Sequence, residues 1–213
     1  MTLEQAMAEA PVVAILRGLR PEEAAGMGEA LHAVGVRIIE VPLNSPHPLD
    51  SIRTLVETLG DGAVVGAGTV LDTDDVARVA EAGGRIIVAP NTSPAVIAAA
   101  VARGLDPMPG FSTPTDAFTA LDAGAVYLKL FPASTYGPGH LKAVKEVLPA
   151  AAVVLPVGGV RPGQFADWWA AGARGFGMGG DLYKPGRSIA ETAERARAAI
   201  EAVRPLVRQA AGG

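Results

Sequence analysis

Apolar residues fall along the chain in short, evenly spaced runs: PVVAILRG (11–18), VRIIEVPLN (36–44), AVVGAGTV (63–70), RIIVAPN (85–91), LDPMPG (105–110), AVYLKLFP (125–132), AVVLPVGG (152–159) and ARGFGMGG (173–180). Most are rich in β-branched or large apolar residues, which predicts strands covered on both faces. Between them lie alanine-rich amphipathic stretches, among them PEEAAGMGEALHAV, HPLDSIRTLVETL, TDDVARVAEA and GQFADWWAAG, which predict helices. Helix starts are marked at Ser45-Pro46, Asp72, Ser93-Pro94 and Thr113-Pro114. Helix ends are marked by Gly35, Gly60, Gly83, Gly104, Gly124 and Gly172.

The reading is eight strand–helix units, preceded by a short helix and closed by a long one near 187–208. Strict alternation predicts α/β architecture with a parallel sheet and helices outside it. Eight units predict closure into a (β/α)8 TIM barrel, for which 213 residues is near the short end of the usual range. A doubly wound open sheet is the alternative. No linker or low-complexity segment divides the chain, so residues 1–213 read as one domain. The Ala-Ala-Gly-Gly end is expected to fray.

Charge and composition remove several classes of function. Asp and Glu outnumber Lys and Arg by 22 to 18 with no basic run, so the footprint of a nucleic-acid partner is absent. Although 49% of residues are apolar, no stretch reaches the roughly 20 uninterrupted apolar residues of a membrane span. The start, MTLEQAMAEAPVVAILRG, carries acids where a signal peptide carries positive charge, so no targeting segment is read. The lack of cysteine excludes disulfides, thiolate metal sites and cysteine nucleophiles, and fits a cytoplasmic protein. His32, His47 and His140 have no ligand spacing, so no protein-built metal site is expected. No strand–helix junction carries a dinucleotide or Walker A glycine pattern, so no nucleotide cofactor is expected. Trp168 and Trp169 fall on a predicted helix, where packing between helices or subunits is their expected role.

One run breaks the apolar rule. In GAVYLKLFPA (124–133), Lys129 sits among strand residues that should be buried. An unpaired buried ammonium is costly and tends to lose its proton. In a barrel, chemistry sits at the C-terminal ends of the strands, and polar residues gather there. Arg17 closes the first strand, Glu40 lies in the second, Thr69 ends the third and Asn91 the fourth. Gly158-Gly159 and Gly179-Gly180 end the last two. Period-two alternation puts Arg17 with Val13 and Ile15, Glu40 with Ile38, and Lys129 with Tyr127 and Phe131. If these faces point inward, Arg17, Glu40 and Lys129 converge on one mouth.

Bland readings stand beside these. Lys129 and Glu40 could form a structural ion pair, Arg17 a rim charge, and the glycine pairs simple turns. The strand-end position favours chemistry. A lysine in apolar surroundings beside a carboxylate, with an anion site nearby, suits imine chemistry. A neutral amine attacks a ketone, and the protonated imine serves as an electron sink for carbon–carbon cleavage. Glu40 would shuttle protons. Arg17 would hold an anionic end of the substrate. Glycine pairs in the loops after the seventh and eighth strands suit a phosphate.

The stretches AILRG (14–18), IEVPLNSP (39–46), GAGTV (66–70), PGFSTPTDA (109–117), LKLFPAS (128–134), GPGHLKAVKEVLP (137–149) and VGGV (157–160) resemble the 2-keto-3-deoxy-6-phosphogluconate/galactonate aldolases over nearly the whole chain. The resemblance implies a class I aldolase with Lys129 as Schiff-base lysine and Glu40 as general acid/base. Arg17, Thr69, Gly158-Gly159 and the Gly179-Gly180 loop would contact substrate. It further implies reversible cleavage of a phosphorylated keto-deoxy sugar acid to pyruvate and glyceraldehyde 3-phosphate without a metal, in a homotrimer. Pro42-Leu43-Asn44-Ser45 and GGDLYKPG (179–186) resemble the galactonate branch of the family. Gly180 stands where that loop usually has serine, which implies weaker phosphate binding. The alternatives are the same chemistry on the gluconate epimer or on 4-hydroxy-2-oxoglutarate, a phosphate-binding barrel isomerase or decarboxylase, and a non-catalytic phosphate-binding barrel.

Overall fold

Each apolar run yields parallel strand, and the fifth yields two pieces. The computed structural model describes residues 1–211. The strands are β1 (Val12–Ile15), β2 (Ile38–Pro42), β3 (Val64–Gly68), β4 (Ile86–Val88), β5 (Asp106–Met108), β6 (Gly110–Phe111), β7 (Tyr127–Leu130), β8 (Val153–Pro156) and β9 (Phe176–Met178). A short helix α1 (Leu3–Glu9) precedes them. The helices between and after them are α2 (Pro21–Ala33), α3 (Pro48–Leu59), α4 (Thr73–Glu81), α5 (Pro94–Ala102), α6 (Pro114–Asp122), α7 (Ala133–Lys145), α8 (Phe165–Ala170) and α9 (Ile189–Ala211). Gly212 and Gly213, where fraying is expected, lie outside the described residues. Among those described, no helix is long and apolar enough to cross a membrane.

The ladders form a curled parallel sheet in two parts. Six strands run in the order β5-β4-β3-β2-β1-β9, and three in the order β6-β7-β8. Continuous ladder bonds therefore do not by themselves run around the eight-stranded ring that the unit count predicts. The breaks have a physical reason. Pro109 separates β5 from β6 and has no N–H to donate. Strand β8 ends on Pro156 and joins β9 by no ladder among the described residues, but by the isolated bridge between Val157 and Gly177 and the Arg174 N–H donating to Val154 O at 2.9 Å.

Alternation along the strands divides their side chains between two cores. Val13, Ile15, Ile38, Val64, Ile86, Val88, Met108, Leu155 and Val157 form one buried cluster, closed at one end by Leu3, Ala6 and Met7 of α1. Val12, Ala14, Ile39, Val41, Val65, Ala67, Leu128, Leu130 and Val154 pack the other way, into the cluster shared with the helices. Burial on both faces explains why the runs are continuously apolar. Trp168 is buried in the helix-facing cluster, and Trp169 packs beside it.

Most helix punctuation acts as read. Asp72 accepts from the Asp75 N–H at 2.8 Å, and Thr113 forms a capping box with Asp116. All six helix-ending glycines have positive φ. Ser45-Pro46 is the exception, because α3 starts two residues later, at His47-Pro48. The Ser45 hydroxyl is engaged elsewhere, accepting the Gly18 N–H at 2.9 Å. That bond ties the loop after β2 to the loop after β1.

Candidate active site

Register brings the candidates together. Glu40 pairs with Ile15 of β1 on one side and Gly66 of β3 on the other. Lys129 pairs with Gly110 and with Leu155. At the C-terminal ends of these strands opens a cavity of about 460 Å³. Arg17, Thr69, Lys129, Gly158, Gly159, Gly179 and Gly180 all line it. Glu40 does not. It lies deeper, where it and Lys129 line a small void of about 10 Å³ among Val13, Ile15, Met108 and Leu155. Lys129 therefore connects the open cavity to the buried carboxyl.

Both groups are nearly inaccessible, Glu40 at 1% and Lys129 at 8% exposure. They make no ion pair within 4.0 Å, so the structural pair considered above is not formed. Glu40 Oε2 is buried without a hydrogen-bond partner. Burial pushes the Glu40 carboxyl up to about 7, against the opposing pull of Lys129 and Arg17. Burial also lowers the Lys129 ammonium from its ordinary value; Glu40 opposes this shift and Arg17 adds to it. Lys129 Nζ lies 5.0 Å from the centre of the Phe131 ring. These surroundings favour a neutral amine and a carboxyl able to exchange protons near neutrality.

The rim residues are held from several elements. Arg17 Nη1 donates to Asn44 Oδ1 at 2.5 Å, so the loop after β2 orients a guanidinium carried by the loop after β1. Thr69 has φ 58, in the left-handed region, where a β-branched residue is strained. Gly158 and Gly159 have φ 96 and 77, which L side chains rarely adopt; as a pair they turn the chain beneath the cavity. Asn91 lies away from this cavity, and Pro90 lines it instead. Among the described residues, no three His, Asp or Glu side chains cluster as metal ligands would. A larger cavity of about 860 Å³ lies at the opposite end of the strands, near α1, Asp106, Tyr127 and Trp169.

Residue-by-residue reading misses several neighbours. Ile15, Val157, Arg161, Tyr183 and Lys184 also line the 460 Å³ cavity. Ile15 and Val157 were readable only as core, and the others lie in loops without periodicity. Gly68 carries no side-chain signal, yet it lies directly against Glu40.

Comparison with known proteins gives the class to which this parallel α/β chain belongs. The family model described as KDPG and KHG aldolase matches residues 3–195, and the chain belongs to that family. The chain is 50% identical over 194 residues to the probable 2-dehydro-3-deoxy-6-phosphogalactonate aldolase of Rhizobium meliloti (strain 1021), covering 91% of this chain and 92% of the relative. It is 46% identical over 197 residues to the 2-dehydro-3-deoxy-6-phosphogalactonate aldolase of Escherichia coli (strain K12), covering 92% and 96%. Among solved structures it is similar to one described as native KDPGal, with TM-score 0.91, 46% identity, and 93% and 96% of the two chains covered.

Proposed function

We propose that this chain is a class I aldolase that reversibly cleaves 2-dehydro-3-deoxy-6-phosphogalactonate to pyruvate and glyceraldehyde 3-phosphate. The observation that carries this reading is Lys129: a buried amine, free of any ion pair, between a 460 Å³ cavity and the Glu40 carboxyl. Two relatives named for that substrate support the choice of epimer.

The chemistry follows from the geometry. The neutral Lys129 Nζ adds to the C2 ketone, and the carbinolamine loses water to give a protonated imine. Glu40, acting directly or through a water, takes the proton of the C4 hydroxyl. The C3–C4 bond breaks, its electron pair moves into the imine to form an enamine, and the aldehyde leaves. Protonation at C3 and hydrolysis of the imine release pyruvate and return the amine. Arg17 holds the carboxylate end and Thr69 offers a hydroxyl to the substrate. The loops at Gly158-Gly159 and Gly179-Gly180 receive the phosphate.

The same reading includes a closed (β/α)8 barrel spanning the chain as one domain. Its support is the Val157–Gly177 bridge, the Lys129 N–H donating to Pro109 O at 2.9 Å, and an inner core drawing on both sheets. We also propose a homotrimer. Val101, Phe118 and Val126 are exposed apolar residues suited to a subunit contact, and light scattering should return three times the 21.6 kDa chain mass. A monomer would overturn the trimer and leave the chemistry standing.

The deciding experiment is incubation with pyruvate and borohydride, followed by mass measurement and peptide mapping. One reduced three-carbon adduct per chain at Lys129 is expected, and none in Lys129→Ala. No adduct in the native protein would favour an isomerase or a non-catalytic binding barrel. An adduct on another lysine would move the nucleophile.

A further inference from the structure

Two cations that line the cavity, Arg161 and Lys184, have no part in the chemistry above. Lys184 lies on the loop between β9 and α9 and lines the same cavity as Lys129, Gly158, Gly159, Gly179 and Gly180. A Cβ built on Gly180 would lie 3.4 Å from Lys184 Cε. The end of the lysine stem therefore stands beside the place a side chain at residue 180 would occupy.

Other cations of this wall are engaged. Arg161 Nε lies 3.7 Å from the Asp181 carboxylate. Arg187 Nη1 donates to the carbonyl oxygens of Gly180, Asp181 and Leu182 at 3.4, 3.2 and 2.7 Å. Arg195 Nη1 adds a bond to Asp181 O at 3.1 Å. These bonds fix the loop through its carbonyls. The N–H groups of Gly158, Gly159, Gly180 and Asp181 have no hydrogen-bond partner among the described residues. Lys184 makes no ion pair among them either.

We infer that Lys184 is the side-chain anchor for the substrate phosphate, supplying the contact that a serine at position 180 would otherwise make. The inference rests on the aldolase reading above. Backbone N–H groups orient a phosphate but carry no net charge. An ammonium on a flexible stem adds a charge-assisted hydrogen bond and, unlike a hydroxyl, a unit positive charge facing the phosphate. The weaker phosphate binding that Gly180 alone implies is then offset by Lys184.

The test compares native protein with Lys184→Ala, Lys184→Arg, Arg161→Ala, Gly180→Ser and the double variant Gly180→Ser/Lys184→Ala. The readout is the ratio of kcat/KM for the phosphorylated keto-deoxy acid to that for its unphosphorylated counterpart, alongside competition by inorganic phosphate. Lys184→Ala should lower the ratio on the order of 10- to 100-fold, the size of one hydrogen bond to a charged group. It should also weaken phosphate competition, while Lys184→Arg keeps most of both. The loss should be smaller in the Gly180→Ser background, where a hydroxyl is restored. An unchanged ratio in Lys184→Ala, or a selective loss that follows Arg161→Ala instead, overturns the assignment. Pyruvate trapping on every variant separates the two readings. Adduct formation with an unchanged ratio refutes the lysine alone, and no adduct in native protein refutes the aldolase.

Discussion

Gly68 is the slot into which the Glu40 carboxyl fits. A Cβ built on Gly68 would lie 2.5 Å from Glu40 Cδ, 2.6 Å from Oε1, and closer still to Oε2. The acid lies flat against the β3 backbone because residue 68 has no side chain. Gly68→Ala should therefore displace the carboxyl, on top of a stability cost of about 1–3 kcal/mol for overpacking. Turnover should fall on the order of 10²-fold, as expected when a reacting group moves by about 1 Å. Shortening the acid should relieve the clash, so the losses in Gly68→Ala/Glu40→Asp should be less than additive. Near-native kcat and pH profile in Gly68→Ala would show that the slot does not position Glu40.

The Glu40 carboxyl gives stability a pH dependence with a definite sign. Its value is 4.5 when unperturbed and about 7 in the folded chain. Between those pH values the unfolded chain releases a proton that the folded chain keeps. Its contribution is thus fully present below 4.5 and lost as pH rises through 7. Glu40→Gln removes this titration. Relative to native protein, the variant should gain about 3 kcal/mol between pH 4 and pH 8. Cleavage should meanwhile slow by roughly 10²–10⁴-fold, with pyruvate trapping still detectable. Thermal melts of both proteins across this range are the check, and parallel curves would refute the buried carboxyl. Near-native turnover in Glu40→Gln would show that Glu40 is not the proton carrier.

Thr69 trades stability for placement. A β-branched residue at φ 58 stores strain, of order 1–3 kcal/mol for such conformations. Thr69→Gly should melt no lower than the native protein, and higher by about 1 kcal/mol equivalent, after glycine's extra unfolded-state entropy is subtracted. Its kcat/KM should fall about 10-fold or more if, as proposed above, the Thr69 hydroxyl contacts the substrate. Thr69→Ser should keep most of the activity. If Thr69→Gly both destabilises and stays active, the left-handed threonine serves folding instead.

Much of this arrangement is legible in the sequence, and what is hidden shares one cause. Lys129 stands out because a cation inside an apolar run conflicts with burial. Arg17, Glu40 and Thr69 follow from alternation and strand ends, which are local properties. Gly68 stands in a run of small residues that leaves room, but what fills that room depends on a side chain from the neighbouring strand, paired through Pro42. Asn44 is legible as part of the galactonate-like Pro42-Leu43-Asn44-Ser45, but its hold on Arg17 is not, since the two lie 27 residues apart. Lys184 lies past the last strand in a loop that folds back over Gly18, and no periodicity reports that contact. The split of the fifth run was readable, because Pro109 cannot donate a ladder bond. The helix start at His47-Pro48 was obscured by an equally good serine–proline signal two residues earlier.

Substrate preference is the last prediction, and it turns on the loop after β2. The aldol bond joins pyruvate C3 to the aldehyde carbon that becomes C4. The face of the aldehyde that meets the enamine therefore sets the C4 configuration. The segment Pro42-Leu43-Asn44-Ser45 is expected to bear on that choice by fixing Arg17, proposed above to hold the substrate carboxylate, and with it the orientation of the bound enamine. The Leu43 N–H donates to Gly68 O at 2.8 Å and the Ser45 N–H to Pro42 O at 2.9 Å, fixing a turn from which Asn44 holds the guanidinium. A neutral amide that orients one arginine presents a different charge pattern from a second cation at the same place. The galactonate epimer should be cleaved with kcat/KM on the order of 10-fold or more above the gluconate epimer, within the roughly 1–3 kcal/mol that small pocket differences supply. Asn44→Ala should release Arg17, raise KM for both epimers and narrow the gap between them. Rates for both epimers with the same preparation are the check. A clear excess for the gluconate compound would refute the epimer assignment while leaving the Schiff-base chemistry intact. An unchanged gap in Asn44→Ala would show that Arg17 takes its position without Asn44.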